Sequence, residues 1–188
     1  MNIQCDCGSF EARLSGMPKN TPGRLVCYCD DCQVYLKRLG RAEILDTWGG
    51  TEIVPVYPNE FEIVKGFEHL QCNKIHSKGL ERWSASCCNS PIGNTKVGFP
   101  WVGILNTAYQ AKDPKNLKSL GDIKSRVMGK HKVGAPPFKV SEKMGLGDAF
   151  NVIPFILKGF FQKRFRGSPF YQADGVTPVK EPVYLRAD

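Results

Sequence analysis

Residues 9–16, Ser-Phe-Glu-Ala-Arg-Leu-Ser-Gly, alternate apolar and polar side chains. That alternation predicts a strand, because successive strand side chains point to opposite faces. A loop over residues 18–23 and a short strand over 24–28 follow. Asp30 or Asp31 caps a short helix that runs through Leu39 and stops at Gly40. Trp48-Gly49-Gly50-Thr51 reads as a turn. Beyond it, residues 52–57, 60–65, 69–75, 81–85 and 95–106 read as successive strands, with Gly or Pro between most of them. Residues 1–112 are therefore expected to form a compact, mainly β domain of mostly antiparallel sheets.

The period changes after Pro114. Leu117, Leu120, Ile123 and Val127 recur at helical spacing within a polar stretch, residues 116–130, and 134–137 form a linker. Residues 148–165 place Phe150, Ile153, Leu157 and Phe161 on one helical face, with Lys158, Lys163, Arg164 and Arg166 nearby. Such a helix packs on the sheet or on a second subunit, which leaves a homo-oligomer open. A helix lying on a membrane surface is the sharper alternative. Residues 168–188 are Pro-rich and read as extended. Residues 113–188 are thus expected to be a helical and extended C-terminal extension packed on the β domain.

The chain has 188 residues, enough for one domain with its own core. Lys and Arg number 26 against 18 Asp and Glu, for a net charge of +8. That surplus favours an anionic partner: nucleic acid, an acidic membrane surface, or a small carboxylate or phosphate. Aromatics interleaved with basic residues, the mark of single-strand binders, occur only in residues 160–165, which read better as amphipathic helix. The N-terminus has no basic segment leading into an apolar run. Residues 152–161 form the longest apolar stretch; Pro154 and Lys158 interrupt it, and it falls short of the ~20 residues that span a bilayer. The expected location is the cytoplasm, where thiols stay reduced.

Eight cysteines then change the picture. Seven fall into three tight groups: Cys5-x-Cys7-Gly8, Cys27-x-Cys29-x-x-Cys32, and the adjacent Cys87-Cys88. In a reducing compartment such grouping points to metal rather than to disulfides. A short loop supplies two corners of a tetrahedron and a distant loop supplies the rest; zinc takes such thiolates, usually four. Gly8 allows the tight turn that follows Cys7. An iron–sulfur cluster also takes thiolates, but the spacings match none of the ferredoxin patterns. Cys72, between Gln71 and Asn73 on an expected strand, reads as a buried structural cysteine.

The order Cys5-x-Cys7-Gly8, Cys27-x-Cys29-Asp-Asp-Cys32-Gln33, Cys88-Asn-Ser-Pro91 resembles the glutathione-dependent formaldehyde-activating enzyme family, which includes centromere protein V. The resemblance covers roughly residues 1–110 and implies an Mss4-like fold of β-sheets around zinc. It implies two zinc ions. One would be structural, held by Cys5 and Cys7 with the region of Cys87 and Cys88. The other would be held by Cys27, Cys29 and Cys32 with an open position. The last pair departs from the family's Cys-x-x-Cys-Gly: Ala85 stands in the first slot and Asn89 replaces Gly. Adjacent residues of an extended strand face opposite ways. Either the backbone curls so that Cys87 and Cys88 bind one ion, or Cys87 reaches the second zinc. In the second case Cys72, His76 or an exogenous ligand completes the first.

The resemblance implies joining or splitting of a carbon–sulfur bond between an aldehyde and a thiol such as glutathione. Lys37, Arg38 and Arg41 are candidates for binding its carboxylates, although a charge run on a short helix is usually a solvated face. His69, His76 and His131 sit in no catalytic motif, so no general acid or base is named. The competing class is a non-catalytic zinc-binding module for protein or nucleic acid, which closed four-thiolate sites would favour.

Overall fold

The computed structural model describes residues 1–185; the last three positions of the C-terminal segment lie outside it. In chain order the described residues form β1 (Asn2–Gln4), β2 (Glu11–Leu14), β3 (Arg24–Cys27), α1 (Asp30–Arg38), β4 (Thr51–Val56), β5 (Phe61–Lys65), β6 (Leu70–Lys74), β7 (Glu81–Ala85) and β8 (Ser90–Thr95). There follow β9 (Val102–Leu105), α2 (Asn106–Lys112), α3 (Pro114–Lys118), β10 (Ile123–Val127), α4 (Leu146–Phe161) and β11 (Val183–Tyr184). The architecture is mainly β.

Two sheets carry it. One is three-stranded, β1-β2-β5; the other is eight-stranded, β10-β3-β4-β9-β8-β7-β6-β11. Alternation places the side chains as expected on β2, where Ala12 and Leu14 are buried and Arg13 is exposed. The central strand β4 is instead apolar on both faces. Val54 and Val56 enter a core shared with Ile3, Phe61, Trp83 and Phe170, while Ile53 joins Leu25, Tyr35 and Leu36 beneath α1. Both faces of the large sheet are thus covered where β4 and β9 run. Pro55 is tolerated in this strand because β3 pairs only with Thr51 to Ile53 of β4 and leaves that side unpaired beyond.

Three sequence expectations change. Residues 95–106 are not one strand: β8 ends at Thr95, β9 begins at Val102 and Asn106 opens α2. β8 itself, Ser-Pro-Ile-Gly-Asn-Thr, contains Pro, Gly and Asn, which strand propensity disfavours. Burial of all six between β7 and β9 overrides that preference. Residues 116–130 are not one helix either. Left-handed Gly121, at φ +72°, ends the chain's helical course after α3, and β10 then pairs in parallel with β3. Leu117, Leu120 and Val127 are all buried, but Val127 reaches the interior from a strand.

The third change concerns α4. Its inward stripe is Val152, Phe155, Ile156 and Gly159, not the predicted Phe150, Ile153, Leu157 and Phe161. Phe155 stacks on Tyr57 with ring centres 4.1 Å apart, and the Tyr57 hydroxyl donates to the Phe155 carbonyl at 2.8 Å. A Cβ at Gly159 would stand 2.6 Å from Pro100 Cβ, so glycine is what lets the helix approach. The predicted face points outward, with Phe150 81% and Phe161 90% exposed.

After α4 the chain returns through the core. The Phe170 ring lies 4.8 Å from Phe61 and 4.9 Å from Trp83. The Tyr171 hydroxyl donates to Glu81 Oε2 at 3.0 Å, and Glu81 Oε1 accepts from Lys74 Nζ at 2.8 Å. This ion pair is buried, and each carboxylate oxygen of Glu81 accepts a hydrogen bond. Phe170→Ala is expected to lower unfolding free energy by about 3–5 kcal/mol. Denaturant titration checks this; a loss under about 1 kcal/mol would be the mark of a surface residue.

Candidate metal centres

Seven of the eight cysteines converge on two places. Cys5, Cys7, Cys87 and Cys88 form one cluster and Cys27, Cys29 and Cys32 the other, each with its sulfurs within 4.8 Å of one another. All eight are free thiols. The sulfur separations, 3.5 Å for Cys5–Cys7, 3.4 Å for Cys7–Cys87 and 3.8 Å for Cys87–Cys88, are far longer than a disulfide's ~2.05 Å. They lie near the edge of a tetrahedron with ~2.3 Å metal–sulfur bonds, about 3.8 Å. The cluster has room for one ion and none for a polynuclear centre.

The four-cysteine cluster sits where the two sheets meet. Cys5 follows β1, and a tight turn carries the chain to β2. The Gly8 amide donates to the Cys5 carbonyl at 3.0 Å, and the Phe10 amide donates to Cys5 Sγ at 3.2 Å. Gly8 takes φ +74°, which a side chain would resist. Cys87 and Cys88 lie in the turn between β7 and β8, closed by the Cys88 amide donating to the Ala85 carbonyl at 3.3 Å. The backbone therefore curls, and adjacent cysteines face one centre instead of opposite sides. Asn89 holds the left-handed φ of 52° that glycine would otherwise supply; asparagine tolerates it better than most residues. Arg41 braces the two turns, bonding Asp6 Oδ2 at 2.7 Å and the Asn89 carbonyl at 3.3 Å.

The three-cysteine cluster is built on the β3–α1 junction. Cys27 ends β3, Cys29 is the N-cap of α1 and Cys32 lies in its first turn. Cys27 and Cys29 sulfurs are 3.4 Å apart. The helix N-terminus places partial positive charge beside these sulfurs, which favours thiolate. Buried Arg82, from β7, donates through Nη1 to Cys32 Sγ at 3.7 Å and lies 5.2 Å over the Tyr35 ring. Hydrogen bonds from Cys27 and Cys29 hold the Cys32 thiol well below the usual range, and the Arg82 charge adds to them. In the other cluster, bonds from Ser9 hold exposed Cys7 down to about 6.

The three-cysteine cluster opens into a cavity of about 360 Å³. Its walls are mostly apolar: Leu25, Ile53, Phe99, Trp101, Val152 and Ile156 contribute to them. Cys5, Cys7, Cys87 and Cys88 do not line this cavity. A larger cleft, about 660 Å³ along residues 165–176, carries no cysteine.

Other candidates fall elsewhere. Cys72 is fully buried on β6 opposite Trp83, and burial pushes its thiol up to about 12. It belongs to neither cluster. His76 Nε2 lies 3.3 Å from Asp31 Oδ1 and belongs to neither set of sulfurs. Lys37, Arg38 and Arg41 do not line the cavity. Arg38 instead donates to the Leu185 carbonyl. The cavity's polar residues are Asp31, Arg82, Asn94 and Lys96. Sequence reasoning missed Arg82, Asn94 and Lys96, and no local signal marks them. They reach the cavity because β7, which carries Arg82, and β8, which carries Asn94 and leads into Lys96, lie in the same sheet as β3.

The sequence matches a family described as "Family of unknown function (DUF6151)" over residues 1–182. No curated protein matches it. A crystal structure of a Rhodobacter sphaeroides protein is similar at 17% identity and a TM-score of 0.43, covering 65% of this chain and 97% of that one.

Cys87→Ser is expected to remove bound metal from the four-cysteine cluster and to destabilise the whole fold, since structural thiolate sites carry folding free energy. Cys72→Ser is expected to keep the full metal content while costing about 1–3 kcal/mol for the buried hydroxyl. Metal analysis of the purified variants, with thermal unfolding, checks both. Metal loss from the Cys72 variant would make that residue a ligand.

Proposed function

We propose that this chain, which belongs to the DUF6151 family, holds two zinc ions and acts at the three-cysteine cluster on the carbon–sulfur bond of a thiol adduct of an aldehyde. The observation that carries the reading is the unequal division of the cysteines: four in one place, three in the other, with the cavity beside the three. The four-cysteine set suits a closed structural ion. The three-cysteine set leaves one corner for a visitor from the cavity.

The donor chemistry supports zinc. All seven candidate ligands are cysteine sulfurs, which bind zinc as thiolates, and they stand at tetrahedral edge lengths. Zinc bound at Cys27, Cys29 and Cys32 would supply stabilisation of a thiolate sulfur. Three thiolates and one divalent ion leave a net charge of −1, which the buried Arg82 guanidinium balances. Arg82 also holds Cys32 through its hydrogen bond to the sulfur. The mostly apolar cavity walls offer water few hydrogen bonds, which would disfavour hydration of an aldehyde released there.

In the reaction, the carbon–sulfur bond of the adduct breaks and its electron pair goes to sulfur. The hydroxyl loses its proton as the carbonyl forms, and the departing thiolate gains one. The products are a free thiol and an aldehyde, and the reverse step joins them. The carbon–sulfur chemistry comes from the resemblance of the cysteine order to the glutathione-dependent formaldehyde-activating enzymes and their Mss4-like fold. A reducing compartment such as the cytoplasm fits eight unpaired thiols. No helix among the described residues is long and apolar enough to cross a membrane.

The non-catalytic module needs both sets closed. That reading asks Cys72 or Cys87 to complete the three-cysteine set, whereas Cys87 stands 3.4 Å from Cys7 and Cys72 lies in the core.

X-ray absorption at the zinc edge tests the proposal. About 3.5 sulfur atoms per zinc are expected, rising to about 4 when a thiol is added. Cys29→Ser should stay folded and lose cleavage of hemithioacetals, followed as released thiol. Four sulfurs per zinc before any thiol is added would sink the proposal.

A further inference from the structure

The cavity beside the three-cysteine cluster has a chemistry of its own. Cys27, Cys29 and Cys32 all line it, so anything bound at their open corner extends into it. Leu25 and Ile53 form its floor side by side, on paired strands β3 and β4. Phe99 and Trp101 contribute aromatic surface. Val152 and Ile156 of α4 close it, with Met144 from the segment before that helix. Arg82 is already engaged by Cys32 and by the Tyr35 ring. Lys96 is exposed and Met144 is 48% exposed, which places both toward solvent.

We infer that the thiol accepted here carries a compact apolar body, an aromatic ring or short branched alkyl group, rather than the charged peptide body of glutathione. The inference rests on the open-corner reading of the three-cysteine cluster and names its ligand class. Glutathione brings two carboxylates, an ammonium and two amides. Among the described residues this cavity offers Asn94, Lys96 and Asp31 as polar partners not already bonded to the cluster, and Asp31 would repel the carboxylates. An apolar body loses no hydrogen bonds on entry and gains by burial at every wall. The same division explains where α4 lies. Val152 and Ile156 of its inward stripe provide the far wall, and a metal-bound thiolate alone would need none.

The test uses the full-length protein with cobalt(II) in place of zinc, and reads the sulfur-to-cobalt charge-transfer absorption. Phenylmethanethiol, a series of straight-chain alkanethiols and glutathione are titrated separately. Phenylmethanethiol is expected to bind at least about tenfold tighter than glutathione. Along the alkanethiols each added methylene should tighten binding about fourfold until the cavity is full. Ile156→Asn should weaken the apolar thiols and leave the absorption of the unliganded centre unchanged. Met144→Gln, at a half-exposed position that tolerates polarity, should do the same to a smaller degree and guards against misfolding of the first variant. Glutathione binding as tightly as phenylmethanethiol overturns the inference and leaves the open corner standing. Apolar thiols that ignore both substitutions overturn the placement in this cavity. Absorption that responds to no thiol overturns the open corner itself.

Discussion

Thiolates repel one another, and seven cysteine sulfurs crowd into two small volumes of this protein. Four sulfurs at contact distance cannot all ionise unless a cation sits among them. The four-cysteine cluster makes that constraint structural. Cys5 belongs to the turn that joins β1 to β2 in the small sheet. Cys87 and Cys88 belong to the turn that joins β7 to β8 in the large one. A shared ion would therefore lock two sheets together across more than eighty residues of chain. Closing so long a loop is costly in entropy, and a cross-link at its ends offsets much of that cost.

The second cluster obeys the same electrostatics with a different outcome. Its three sulfurs come from one short stretch, where a strand turns into a helix, and no distant cysteine arrives to complete the set. Positive charge comes instead from the helix N-terminus and from Arg82. A cluster balanced by an arginine and a helix dipole does not need a fourth thiolate from its own chain. On the proposed reading, that difference separates a site that would hold the fold together from one that would exchange a ligand.

The chain after Pro114 is part of this arrangement. β10 extends the large sheet beside β3, and the Tyr28 amide donates to the Val127 carbonyl at 3.0 Å. Gln33 in α1 donates to the His131 carbonyl at 2.8 Å. The extension thereby fixes the backbone on both sides of the three cysteines. α4 then lies across the cavity on Tyr57 and Pro100, leaving a second apolar stripe of Phe150, Ile153, Leu157 and Phe161 facing outward.

Much of the site is readable in the amino-acid sequence, because it is local. Cys5-x-Cys7-Gly8 and Cys27-x-Cys29-x-x-Cys32 declare their turns and their chemistry through spacing alone, and the alternation in residues 9–16 declares a strand. Those features depend on bonds within a few residues, and local bonds follow from local identity. The allotment of Cys87 to the first cluster, the exile of Cys72 to the core and the arrival of Arg82 at Cys32 are decided elsewhere. Each depends on which strands lie side by side and in what register. Register is a property of the whole sheet: a shift of one residue would turn every side chain of a strand to its other face. The inward stripe of α4 was ambiguous for the same reason. Two apolar faces compete along that helix, and only the surface it meets, with Tyr57 and a close approach at Gly159, selects between them.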